Sequence, residues 1–118
     1  MKYQTKDSGE RINYDSGMRR DIQDGKPRYD LIPLMPLKRL AELYTRGAEK
    51  YGDRNWQLAN SQEELDRFKG SAMRHMFQWA EGDESEDHAI AVVFNLFAYL
   101  YVEDKLKTAA KERDATVT

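Results

Sequence analysis

The chain of 118 residues carries a formal net charge of −2, a pI near 5.7 and no cysteine, with 34% of its residues charged. This length fits one domain at most, and without a thiol neither a disulfide framework nor a thiolate site exists. The slightly acidic balance argues against general nucleic-acid binding, which favours a basic face.

Met1 to Asp7 contains no apolar h-region and is therefore not a signal peptide. The longest apolar run, Ala89 to Val102, falls short of the roughly 20 residues that span a bilayer. The expectation is a soluble, cytoplasmic protein with no membrane partner.

Residues 1–30 are charged, contain Gly9, Gly17 and Gly25, and show no apolar period. They read as an extended arm in which Tyr14, Met18, Ile22 and Tyr29 anchor on the body or on a second subunit. A first helix is predicted from Pro36 to Tyr51, with proline in its opening turn and Gly52 just past its end. Its buried stripe is Leu37, Leu40, Ala41, Tyr44 and Ala48. A second helix is predicted from Ser61 to Glu81, opened by the capping box Ser61-Gln62-Glu63-Glu64 and closed by Gly82. Leu65, Phe68, Ala72, Met76 and Trp79 form its expected core face.

A third helix is predicted from Asp83 to Thr108, apolar around its circumference from Ala89 to Val102 except at Asn95. Such a helix must be enclosed on all sides. Two shorter helices hardly suffice, so a homodimer or homotetramer is expected. The fold class that follows is all-α: an antiparallel helical bundle over residues 31–108, with its core shared between subunits and a flexible tail at 109–118. No strand pattern is visible.

Both histidines, His75 and His88, lie around the junction of the second and third helices, beside Glu81, Asp83, Glu84, Glu86 and Asp87. Hard divalent ions take several oxygen ligands, so this acid-rich junction points toward metal-dependent chemistry on an anionic substrate. The plainer reading is helix capping, since acids favour a helix N-terminus. Asp87, Ala91 and Asn95 share one line of the third helix, and small Ala91 and Ala98 leave room beside it. Asn95 either contacts a ligand or sets helix register in the oligomer. The histidines are either hydrogen-bonded interior residues or site residues. Asp87-His88 reverses the His-Asp order that a histidine-aspartate phosphohydrolase needs.

Lys50, Tyr51, Arg54, Asn55 and Trp56 gather cations, aromatics and an amide at the end of the first helix. Lys and Arg can neutralise phosphate, and an aromatic can stack on a base. An ordinary glycine-capped helix end with Trp56 in the core explains the same residues.

Three elements in order, Asp24 to Pro33, Gly47 to Trp56, and Arg74-His75 through Glu81-Gly82-Asp83, Glu86-Asp87-His88 and Asn95, resemble a phage-associated family of dATP/dGTP diphosphohydrolases (N-terminal domain type). That family is similar to the MazG-like all-α nucleotide pyrophosphohydrolases, and the resemblance covers about Lys6 to Asp104.

The resemblance implies hydrolysis of purine deoxynucleoside triphosphates (dGTP, dATP) to monophosphate and pyrophosphate with Mg²⁺, or Mn²⁺, in the host cytoplasm if phage-encoded. It implies metal ligation by Glu81, Glu86 and Asp87 with Glu49. Lys50, Arg54 and Arg74 would offset phosphate charge, His75 or His88 would orient water, Tyr51 and Trp56 would hold the base, and Asn55 or Asn95 would read its edge. In the superfamily the ligands come from an ExxE and a later ExxD element. Glu84-Ser85-Glu86-Asp87 matches the second, whereas Glu81-Gly82-Asp83-Glu84 has the letters of the first but crosses a helix break. A non-catalytic helical module that binds a nucleotide or a protein is the alternative.

Overall fold

A proline-led start and a glycine stop delimit the first helix, α1, Leu34–Tyr51. In the computed structural model, which describes residues 3–117, Pro36 occupies the opening turn, where a missing N–H costs nothing. Gly52 ends the helix at φ 93°, a conformation that strains a side-chain-bearing residue, and its N–H donates to the Ala48 carbonyl at 2.8 Å. A 3-10 turn, Asn55–Leu58, follows. The Lys105 ammonium donates to the Gln57 carbonyl at 2.6 Å and ties this turn to the last helix.

The second helix, α2, is Gln62–Ala80. Its capping box forms as the sequence predicts: Ser61 Oγ accepts the Glu64 N–H at 3.2 Å, and the Glu64 carboxylate accepts the Asn60 N–H at 2.9 Å. The third helix, α3, is His88–Val117. It continues past Thr108 through the expected tail, because Ala109, Ala110, Lys111, Glu112 and Arg113 are strong helix formers with no glycine or proline among them.

The three helices pack as an all-α bundle over Pro33–Thr118, with α2 against α3 as its main contact. Ala59, Leu65 and Val102 form the buried cluster, flanked by Phe68, Tyr99 and Leu106. The core face of α2 departs from the expected one. Leu65, Ala72 and His75 are buried, while Met76 and Trp79 are 46% and 57% exposed. A helix turns about 100° per residue, so taking His75 instead of Met76 as the inward position rotates the stripe by one residue. The buried ring is tolerated because His88 on α3 supplies a hydrogen-bonding partner.

On α3 the covered side carries Ile90, Ala91, Val92, Asn95, Ala98 and Val102, whereas Leu96, Phe97 and Leu100 stay about half exposed. The chain therefore covers one side of its own apolar helix. Three aromatic contacts fix α1, the 3-10 turn and α3 together: Tyr44–Phe94 at 5.2 Å, Tyr44–Trp56 at 5.8 Å and Trp56–Tyr101 at 5.1 Å between ring centroids.

The other unit, Met1–Ile32, holds a two-stranded antiparallel hairpin of β1 (Arg11–Asn13) and β2 (Arg19–Asp21), with Ile12 opposite Arg20. The sequence shows no strand pattern here because nearly every residue of the two short strands is exposed and none must alternate. Charge holds the hairpin: the Arg11 guanidinium donates bidentately to Asp7 at 2.7 and 2.8 Å, and Ser8 donates to Asp21. A second 3-10 turn, Tyr29–Leu31, follows, where Arg28 donates to Asp30 at 2.8 and 2.7 Å.

Candidate functional site

The glycine stop after α1 turns the chain across the bundle, and a cleft of about 850 Å³ opens between α1, the 3-10 turn, α2 and α3. Its size falls in the range of small-molecule sites, roughly 300–1,000 Å³. Five of the seven residues expected to bind substrate line it: Tyr51, Arg54, Asn55, Trp56 and Asn95. Asp53, Arg67 and Ser71 join them.

Each of these side chains is held differently. Trp56 is half-buried in the aromatic cluster, so its faces are largely committed to Tyr44, Phe94 and Tyr101. Tyr51 is 63% exposed and lies under the Lys50 ammonium, 5.0 Å from the ring centroid. Arg54 adopts the left-handed conformation, φ 59° and ψ 26°, and its carbonyl accepts the Gln57 N–H at 3.0 Å. Its guanidinium has no hydrogen-bond or ion-pair partner among the described residues. One N–H of the Asn95 amide donates to the Ala91 carbonyl of its own helix at 2.8 Å.

Below the cleft, the buried seam between α2 and α3 holds the histidines. The Nδ1 atoms of His75 and His88 lie 2.8 Å apart, one ring donating and the other accepting. His88 has no exposed side-chain surface, and its Nε2 sits 3.2 Å from Asp83 Oδ1, off the line of a directed hydrogen bond. Burial foremost, and then the neighbouring Arg74, holds the His75 pKa below its ordinary 6.5, against the opposing pull of Glu86. Asp83 is held down to about 2, chiefly by the Ser85 hydroxyl and backbone N–H and then by His88.

Among the described residues, His75, Glu86 and His88 are the group of three whose ligand atoms all lie within 4.8 Å of one another. The other expected metal ligands stand elsewhere. Asp87 receives a bidentate pair from Arg39 of α1, with Nε donating at 3.0 Å, and also accepts the Ile90 N–H at the start of α3. That guanidinium holds the Asp87 carboxyl below the usual carboxylate range. Glu49 and Glu81 are exposed. Lys50 and Arg74 do not line the cleft, and Arg74 donates to Ser71 at 3.3 Å.

Sequence reasoning missed Arg39, whose partner lies 48 residues away, and the facing of the two histidines across a helix pair. The buried histidines were legible only as a choice between core and site. Arg67 and Ser71 stand four residues apart on α2, on either side of Phe68, a helical spacing that the expected core face could have supplied.

Comparison with known proteins gives one result. The family model described as "dATP/dGTP diphosphohydrolase, N-terminal" matches residues 16–113. No curated protein and no solved structure matches the chain.

Proposed function

The chain belongs to the dATP/dGTP diphosphohydrolase N-terminal family, and from that premise we propose that it hydrolyses purine deoxynucleoside triphosphates, dGTP or dATP, to monophosphate and pyrophosphate in a metal-dependent reaction. The observation that carries this reading is the cleft of about 850 Å³ that gathers Tyr51, Arg54, Asn55 and Asn95.

In that cleft Arg54 and Arg67 offset the triphosphate charge, with Lys50 at the edge over Tyr51. Tyr51 is the exposed ring that stacks on the base, while Trp56 stiffens the wall. Asn55 and Asn95 present amides to the base edge.

The four carboxylates Glu49, Glu81, Glu86 and Asp87 do not converge on one point within a protomer, and Asp87 is committed to Arg39. They do not fit a resident Mg²⁺ centre. Mg²⁺ or Mn²⁺ instead belongs with the substrate, carried on the triphosphate, where one or two protein carboxylates are enough. Asp53 and Glu64 line the cleft, and with the Glu64 carboxylate accepting the Asn60 N–H and the Ser61 hydroxyl, Asp53 is the one in place for that contact.

The apolar surface of Met73, Met76 and Phe77 on α2 and Leu96, Phe97 and Leu100 on α3 supports a homodimer or homotetramer. Exposed apolar patches of this kind mark protein–protein contacts.

A second reading, a nucleotide-binding module without turnover, draws support from the same non-convergence of the carboxylates. Hydrolysis of dGTP and dATP in ¹⁸O-labelled water distinguishes the two. Label in the monophosphate, with pyrophosphate unlabelled, marks attack at the α-phosphorus and is the expected result. Binding of dGTP without consumption would overturn the enzyme and leave the binding module.

A further inference from the structure

Continuing down α2 from Ser71 in the cleft wall, His75 lies one turn farther, a rise of about 6 Å. There it meets His88, the first residue of α3. We propose that His75, His88 and Glu86 form a binding site for a divalent transition-metal ion, with Asp83 holding His88 in its ligating orientation. This inference does not rest on the hydrolytic reading, since none of the four residues lines the cleft.

The donor set decides the class of ion. Two imidazole nitrogens and one carboxylate suit Mn²⁺, Fe²⁺, Co²⁺, Ni²⁺ or Zn²⁺, whereas Mg²⁺ selects oxygen ligands and keeps its waters. Two nitrogens 2.8 Å apart, each about 2.1 Å from a shared ion, subtend about 85° at the metal. That angle is close to octahedral. A tetrahedral ion needs the nitrogens about 3.4 Å apart, a parting of about half an ångström. The Glu86 carboxylate already has an oxygen within 4.8 Å of a ring nitrogen of each histidine, and as an exposed side chain it can close the rest.

The surroundings are those of a ligating histidine. His88 is fully enclosed, so its ring is held by packing and not by solvent. Its Nε2 lies beside the Asp83 carboxylate at 3.2 Å, the arrangement in which a carboxylate fixes the tautomer of a metal-bound imidazole. Binding uses both rings as Nε2–H tautomers, both Nδ1 lone pairs turned to the ion, and Asp83 accepting the Nε2–H of His88. Asp83 is itself fixed by the Ser85 hydroxyl at 2.5 Å and backbone N–H at 2.7 Å. Without an ion, the 2.8 Å contact between the two rings uses one ring's donor and leaves the inner His88 Nε2 without a directed hydrogen bond.

The test uses the full chain stripped by a chelator, then titrated with Co²⁺, Zn²⁺ and Mn²⁺ by calorimetry, with the visible spectrum of the Co²⁺ form recorded. The expected result is one ion per chain with a nitrogen-ligated Co²⁺ spectrum that excess Mg²⁺ does not remove. Glu86→Gln and His75→Gln are expected to weaken binding strongly. Asp83→Asn, one layer out, is expected to cost about 10–100-fold in affinity. Glu86 is exposed, so the melting temperature of ion-free Glu86→Gln stays at the wild-type value and its loss of affinity reports ligation. If His75→Gln does not fold, Glu86→Gln and Asp83→Asn decide the matter. No ion bound at micromolar concentration, equal affinity in wild type and Glu86→Gln, or displacement by Mg²⁺ would each overturn the site.

Discussion

Arg54→Gly separates what the cleft does from what keeps it folded, because the two effects have opposite signs. Arg54 sits at φ 59° and ψ 26°, and it is the described non-glycine residue with positive φ. The left-handed conformation costs a residue with a Cβ roughly 1–2 kcal/mol, and glycine is free of that cost. Part of the gain is lost to the greater freedom of glycine in the unfolded chain, about 0.5–1 kcal/mol. The net expectation is a gain of about 0.5–1 kcal/mol, a rise in Tm of roughly 2–5 °C for a chain of this size.

The same change removes a guanidinium with no partner among the described residues. A charged hydrogen bond to phosphate is worth about 1.5–3 kcal/mol, or roughly 10–150-fold in affinity. Thermal melts followed by calorimetric titration with dGTP measure both quantities. Arg54→Ala is the control, since it keeps the strained backbone and loses only the charge. A fall in Tm for Arg54→Gly, or unchanged nucleotide affinity in both variants, would refute the reasoning.

Tyr51→Ala should leave the melting temperature unchanged and weaken dGTP binding by about tenfold, in line with stacking worth about 1–3 kcal/mol. Trp56→Ala should instead lower stability by about 2 kcal/mol, because its half-buried ring packs against three others. Equal effects of the two changes on both readouts would contradict that division of labour. Phe77→Glu with Leu100→Glu should convert the assembly to monomer by light scattering, and a wild type that is already monomeric would remove the oligomer from the account. Asp87→Asn should cost at most about 1 kcal/mol and nothing in an Arg39→Met background, since the pair is partly exposed. Stability should fall on acidification below 6.5, because His75 titrates lower in the folded chain than in the unfolded chain, which takes up the proton first. Asp83, held at about 2 against 3.8, adds a further loss as pH falls through that interval. His75→Gln should flatten the first limb in urea midpoints measured across pH.

The helices were legible because local chemistry writes them. Pro36, Gly52, the Ser61–Glu64 box and Gly82 mark ends that any tertiary arrangement must respect. The inward face of α2 was not legible, because Met76 and His75 are neighbours and hydrophobicity favours the methionine. Only a partner across the interface, His88, makes the histidine the better choice. The cleft residues around Tyr51–Trp56 were legible as a local cluster of cations and aromatics. The Arg39–Asp87 pair and the His75–His88 contact depend on how distant helices meet, which no local period records. The hairpin went unseen because its strands are short, charged and without a buried face.

The most direct measurement of the central claim is turnover of all four dNTPs and the matching ribonucleotides with Mg²⁺ or Mn²⁺, products resolved by chromatography, for wild type and Arg54→Gly. The account predicts monophosphate and pyrophosphate from dGTP or dATP, lost on metal removal and strongly reduced in the variant. No turnover of any triphosphate at high protein concentration, or turnover untouched by Arg54→Gly, would contradict it.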